Sequence, residues 1–312
     1  VTVADGTAGD PTLSVVITIV EGGDYVRDIL RALAASIDPP PLDVIVPYDD
    51  SVADVAAYAA EFPAVRFLNL GRIVPARPIT TEAGKHELYD RRRAAGLAVA
   101  TGDIVGILED RGRPDPNWAR ALVRQHALPG RNVVGGAVEC REPANVFNWA
   151  FYASEFGRYG RPFIPGPADW VTDINVSYSR KAIEATRHLW KDRYHEPIVN
   201  WHLIGMGEKL WLSDEVVVFH GRPPLTFGTL LPERFHWGRL FGEIRVRDAP
   251  PLRRLAMILA SPLIPPLLWV RQFRLQASKG RALRYLRALP YVMALTTAWT
   301  LGEVTGYITR RG

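Results

Sequence analysis

Residues 13–20 (LSVVITIV) form an unbroken apolar, β-branched run. That is the pattern of a strand buried on both faces of a parallel sheet. From residue 24 to 36 the spacing becomes helical, with Tyr25, Ile29 and Leu33 falling on one face. The alternation continues through a strand at 42–47 (LDVIVP), a helix at 51–61, a strand at 65–70, a helix at 86–100, a strand at 103–108 and a helix at 117–126. Residues 133–139 and 216–219 read as further strands, separated by aromatic-rich, less regular segments. Strand and helix in turn predict a mostly parallel sheet with helices on both faces. Ligands of such sheets bind beyond the carboxyl ends of the strands, so the residues just after each strand are the candidates for chemistry.

The first strand runs into Glu21-Gly22-Gly23-Asp24, which is neither the G-x-G-x-x-G of a dinucleotide fold nor a phosphate loop; a simple glycine turn accounts for it. The second ends in Tyr48-Asp49-Asp50-Ser51. Its two carboxylates can accept hydrogen bonds from a nucleobase N–H and a ribose hydroxyl, or Asp50 or Ser51 can cap the next helix. The fourth ends in Glu109-Asp110-Arg111. Adjacent acids at the end of a buried strand are costly without a cation between them. A divalent metal bridging a diphosphate meets that need, and a solvated, capped loop avoids it. His188, His195 and His202 are seven residues apart and form no H-E-x-x-H pair, which excludes the zinc-peptidase pattern.

The ordered set SVVITIVEGG, VIVPYDDS and RRRAAGLAVATGDIVGILEDRGRPDPNW resembles glycosyltransferase family 2. Later segments extend the resemblance across residues 13–245: Asp173-Ile174-Asn175 through Arg180, His195-Glu196 with the following GEKL stretch, and Phe219-His220. The resemblance implies a GT-A fold and an inverting transfer from a nucleoside-diphosphate sugar. It implies that Asp49 and Asp50 hold the nucleoside, that Arg93 lies near the donor, and that Glu109 and Asp110 with His220 hold Mg²⁺ or Mn²⁺ and the diphosphate. Glu196 becomes the general base, Asp173 and Asn175 face the acceptor, and Arg239 and Arg245 clamp phosphates. Two positions depart from the family pattern. Arg111 stands where a second aspartate is usual, and Pro197 follows Glu196 in place of an acid.

Composition adds the compartment. The chain of 312 residues has one cysteine, Cys140, which excludes a disulfide framework or a cysteine-based zinc site. The opening residues lack the basic-then-apolar order of an export signal. Charge is uneven: residues 251–312 carry +9, and the rest carries −4. In the tail, residues 255–270 are apolar but interrupted by Pro262, Pro265 and Pro266, and residues 289–308 hold one charge, Glu303. Arginines flank both runs. Basic flanks on every side oppose a two-pass hairpin and favour a monotopic arrangement on the anionic cytoplasmic face of the membrane. Long apolar runs speak against a nucleic-acid partner. The expected organisation is therefore a catalytic domain over 1–250 and a membrane-associating helical region over 251–312, with lipids and a lipid- or polyprenyl-phosphate-linked acceptor as partners. A sugar nucleotidyltransferase is the alternative enzyme, but it would need a Gly-rich basic phosphate loop that Glu21-Gly22-Gly23-Asp24 does not provide. A catalytically inactive scaffold is the alternative that Arg111 favours.

Overall fold

A computed structural model describes residues 11–311; the first ten residues, which open the segment read for an export signal, lie outside them. In chain order the elements are β1 (Leu13–Thr18), α1 (Asp24–Ala34), β2 (Leu42–Tyr48), a 3-10 helix (Asp50–Ala60), β3 (Arg66–Asn69), α2 (Glu82–Val99), β4 (Ile104–Glu109), β5 (Gly112–Pro114), α3 (Trp118–His126), β6 (Val133–Cys140) and α4 (Val146–Glu155). They continue with β7 (Gly166–Ala168), β8 (Asn175–Ser179), α5 (Arg180–Ala185), α6 (Arg187–Trp190), α7 (Glu196–Gly205), β9 (Leu210–His220), α8 (Phe227–Val246), α9 (Pro251–Ala260), a 3-10 turn (Ser261–Leu263), α10 (Ile264–Ser278) and α11 (Ala282–Thr309).

The sheet runs β3-β2-β1-β4-β8-β6-β9-β5, with β7 paired to β9. Strands β3, β2, β1 and β4 are parallel, as their apolar runs predict. Strand β8 is not: it lies antiparallel between β4 and β6, so the sheet is mixed. Its sequence, NVSYS, hides a buried strand because its polar side chains are satisfied internally. Ser177 donates to the Val134 carbonyl, and the Asn175 amide bonds to Trp118 and to the Val216 carbonyl. Val16, Ile45, Ile107, Val176 and Trp190 pack into one apolar core. The helix expected after β2 is 3-10 instead, because Asp49 caps it and Val52 leaves helical geometry.

Two compact units share the chain. The first holds residues up to Ile73, Tyr89–Gly136 and Pro165–Val218; the second holds Val74–Leu88, Ala137–Ile164 and Phe219–Gly312. This division differs from a boundary at residue 250, since α8 and the tail helices belong to one unit. The reason is a close helix pair. Gly238 and Gly242 on α8 meet Gly302 and Gly306 on α11, and a Cβ at any of the four would land on backbone of the opposite helix. Small residues four apart let two helices approach this closely. Glu303, buried in the pair, is neutralised by Arg245 at 3.0 Å.

In the tail run of residues 289–308, Val292, Leu295, Thr300 and Tyr307 are buried within the second unit. Among the described residues, the one helical stretch long and apolar enough to cross a membrane is Pro251–Ser278. Pro262, Pro265 and Pro266 do not break it, because they fall in the first turns of helical segments, where a missing N–H costs nothing.

Candidate functional site

In the first unit, the carboxyl ends of β1, β2 and β4 are tied together by two consecutive arginines of α2. Arg92 is fully buried. Its Nε donates to Asp49 Oδ2 at 2.8 Å, and its two terminal nitrogens donate to the Ile19 carbonyl and to Ser51 Oγ, each at 2.8 Å. The other Asp49 oxygen accepts from the Ser51 amide at 2.8 Å. Asp49 thus caps the 3-10 helix while presenting a carboxylate at the strand end. Asp50, its neighbour, is exposed.

Arg93 points to the adjacent strand ends. Nε donates to Thr18 Oγ1 at 2.9 Å, and one terminal nitrogen reaches both Glu109 Oε1 at 2.6 Å and Asp173 Oδ2 at 2.9 Å. Its other terminal nitrogen lies 3.7 Å from Asp90, one helical turn back. Three carboxylates therefore surround one guanidinium. Burial, reinforced by the Asp173 charge, pushes Glu109 up to about 7 against the pull of Arg93. Burial likewise raises Asp90 to about 7, although Arg93 and Arg193 pull it down.

Asp110 serves a different purpose from Glu109. Its oxygens accept the backbone N–H groups of Glu21 and Gly22 at 3.0 and 2.7 Å. Gly22 and Gly23 adopt positive φ of 78° and 51°, which turns those amides toward the carboxylate. Burial raises Asp110 to about 6 against these hydrogen bonds. Arg111 is spent on Glu21, with contacts of 2.6 and 3.0 Å. The glycine turn is thus a structural clasp over the end of β4.

Glu196 begins α7, where the helix dipole favours a carboxylate. The Asn200 side-chain amide, one turn on, donates to its Oε1. Asn200 Oδ1 in turn accepts from Tyr178 at 2.9 Å, and Tyr178 bonds Tyr194 at 2.7 Å. Burial holds both phenols well above their ordinary pKa, so they stay neutral donors. The segment just before Glu196 is pinned to α2 by Asp90: its carboxylate meets His195 Nδ1 at 3.2 Å and Arg193 at 3.3 Å, and its carbonyl accepts the Tyr194 amide at 3.1 Å.

Other expected site residues lie elsewhere. Asn175 is 1% exposed, and both ends of its amide are committed to Trp118 and Val216 within the core. This corrects the acceptor-facing role, since no side-chain polar atom of Asn175 is left to reach outward. His220 belongs to the second unit, with its ring against Phe151 and Phe156. Among the described residues no three His, Cys, Asp or Glu side chains gather to hold a metal, so the trio Glu109, Asp110 and His220 is not a ready-made centre. One terminal nitrogen of Arg245 donates to Glu303 at 3.0 Å and to the Tyr307 hydroxyl at 2.9 Å. Arg239 lines a cavity of about 600 Å³ in the second unit, together with His236, Arg77, Lys85, Thr81 and Thr229.

Sequence reading missed Arg92, Asp90 and Asn200. A signal for Asp90 was present: Asp90, Arg93, Ala94 and Leu97 follow helical spacing and are all buried, so the face of α2 carrying these charges is an inward one. Nothing in the pattern marked Asn200.

No family model and no curated protein matches the chain. Among solved structures it is similar to mannosyltransferase PcManGT from Pyrobaculum calidifontis, solved in complex with GDP-Man and Mn²⁺. The TM-score is 0.57 at 15% identity, and the likeness covers 98% of this chain and 89% of that one. At that identity the likeness establishes a shared fold, a mixed sheet flanked by helices.

Proposed function

We propose that the chain is a glycosyltransferase that moves a sugar from a nucleoside-diphosphate donor to an acceptor. One observation carries the reading: the strand-end cluster in which Arg92 holds Asp49 and Arg93 holds Glu109 and Asp173. It stands where α/β sheets bind ligands, in a fold shared with an enzyme that binds GDP-Man and Mn²⁺. A sugar nucleotidyltransferase is disfavoured, since the turn after β1 is clasped by Asp110 and offers no basic phosphate loop.

In this reading Asp49 and Asp50 receive the nucleoside. Glu196 takes the proton of the acceptor hydroxyl as its oxygen attacks the anomeric carbon. The bond from that carbon to the diphosphate oxygen breaks, and the nucleoside diphosphate leaves with the electron pair. A single displacement of this kind inverts the anomeric centre. Asn200 orients the Glu196 carboxylate, and Asp90 positions the segment from which it projects. Arg93 provides fixed positive charge beside the developing diphosphate, where a preorganised cation is most effective.

Glu109 and Asp173 present hard oxygen ligands that suit Mg²⁺ or Mn²⁺, and the raised carboxyl of Glu109 is one that a second cation would stabilise. When bound, such an ion would offset charge on the leaving diphosphate. We further propose a lipid-linked acceptor, with the enzyme on the cytoplasmic membrane face through its basic tail.

Donor binding tests the reading first. A ligand that binds only the folded state raises the melting temperature. UDP-, GDP- and dTDP-sugars, each with and without Mn²⁺, form the panel. One nucleotide family is expected to raise the melting temperature, more so with Mn²⁺, and the rise should vanish on Asp49→Asn with Glu109→Gln. No shift with any donor would reject the proposal.

A further inference from the structure

The helical stretch Pro251–Ser278 carries a row of exposed apolar side chains: Leu252, Leu255, Leu259, Leu263, Leu267, Val270 and Phe273. Successive members are three or four residues apart, the repeat of one helix face. Leu259, Leu263 and Leu267 are 71%, 64% and 66% exposed. At 1.5 Å per residue the row is roughly 30 Å long, far more than the isolated apolar residues ordinary on soluble surfaces.

From Ser261 onward the opposite side of the stretch is already occupied. Ser261, Pro265 and Gln276 are buried. Trp269 Nε1 donates to Thr296 Oγ1 of α11 at 2.7 Å, and the Tyr285 hydroxyl of α11 donates to the Trp269 carbonyl at 3.2 Å. Lys279, just beyond, reaches the Gly157 carbonyl at 2.9 Å. The second half of the stretch, α10, is therefore tied to its own unit, whereas α9 buries no side chain.

Charge identifies the occupant of that face. No ionisable residue occurs between Arg254 and Arg271. Arg253 precedes the bare section, Arg271 and Arg274 follow it, and all three are exposed. Leu283 and Leu286 on the first turns of α11 are also exposed, next to exposed Arg284 and Arg287. An apolar strip bounded by cations, without an exposed acid among residues 251–311, matches a bilayer surface with anionic headgroups. A protein partner would need a complementary acidic groove of that length.

We propose that the leucine row of α9 and α10 lies in the plane of an anionic membrane surface, rather than crossing it, with the arginines at its ends on the headgroups. This takes the membrane part of the functional reading down to one surface, and it stands apart from donor chemistry. A spanning arrangement would require the polar contacts of Trp269 with α11 to be broken.

Flotation of the full chain with phosphatidylcholine vesicles, with and without phosphatidylglycerol, tests the surface. The wild type is expected to float with both, and more strongly with phosphatidylglycerol. Leu259→Ser, Leu263→Ser and Leu267→Ser together should weaken partitioning by about tenfold per leucine, while the melting temperature and the donor-induced shift stay as in the wild type. Arg271→Gln with Arg274→Gln should remove the preference for phosphatidylglycerol. In a Cys140→Ser background, Asp248→Cys and Ser278→Cys, at exposed positions on either side of the row, should both label with an impermeant maleimide from the side of addition. Equal flotation of the triple-serine variant would overturn the proposal. So would protection of one labelled end, which marks a span, or a wild-type dimer that the serines dissolve, which marks a second copy.

Discussion

Arg92 and Arg93 diverge by about 100° on their helix, and that divergence lets neighbours in sequence serve neighbouring strand ends. Both are buried, so each must be matched by carboxylate, and removal of either partner would strand a charge at a cost of about 3–5 kcal/mol. Asp90 is the member of this cluster with the most demanding position. It is buried beside Arg93, Arg193 and His195, and its carboxyl is raised from an ordinary 3.8 to about 7. A group raised on folding contributes stability that is fully present below its unfolded value and is lost as pH rises through its folded value. Relative to Asp90→Asn, the wild type is therefore expected to lose stability between about pH 4 and pH 7, on the order of 3 kcal/mol. Chemical denaturation of both proteins across that range measures it. A stability difference that stays constant with pH would mean that Asp90 keeps an ordinary carboxyl. The acids at the strand ends were legible in the sequence because a buried strand makes any following charge conspicuous. Their partners were less so, since α2 reads as a polar helix until its buried face is phased by Ala94 and Leu97.

At the scale of elements, the parallel strands were legible because an apolar, β-branched run has few other uses. Strand β8 was not, because Asn175 and Ser177 disguise a buried position whose hydrogen bonds are supplied from Trp118, Val134 and Val216. The tail shows the same limit. Composition marks residues 289–308 as an apolar run with one charge, but it does not show that glycines four apart on α8 and α11 bring the helices into backbone contact. Gly302→Val tests that contact. The added side chain would meet the Phe235 carbonyl, so a loss of at least about 3 kcal/mol is expected. The neighbouring Leu301→Ser, at an exposed position, should stay within about 0.5 kcal/mol of wild type. Equal effects at the two positions would remove close packing as the reason why α11 belongs to the second unit.

On the scale of the whole molecule, one unit gathers the strand-end acids and Glu196, and the other gathers the cavity lined by Arg239 and His236 and the leucine row. The parallel half of the sheet was legible from alternation and the antiparallel β8 was not, while the boundary expected at residue 250 came from a change in composition that packing does not follow. The order of acidic motifs pointed to sugar transfer, and the geometry adds the arginines, Asn200 and Asp90 that give those acids defined partners. The nucleotide product of turnover tests that claim most directly. The donor selected by melting would be incubated with the full chain, Mn²⁺, and either alkyl glycosides or a short polyprenyl phosphate in detergent, and the nucleotides resolved by ion exchange. The account predicts nucleoside diphosphate in step with sugar appearing on the acceptor. With a hydroxyl acceptor, Glu196→Gln should lower that rate by about 10²-fold or more while donor binding persists. Formation of nucleoside triphosphate and sugar 1-phosphate when pyrophosphate is supplied, or full turnover by Glu196→Gln, would contradict it.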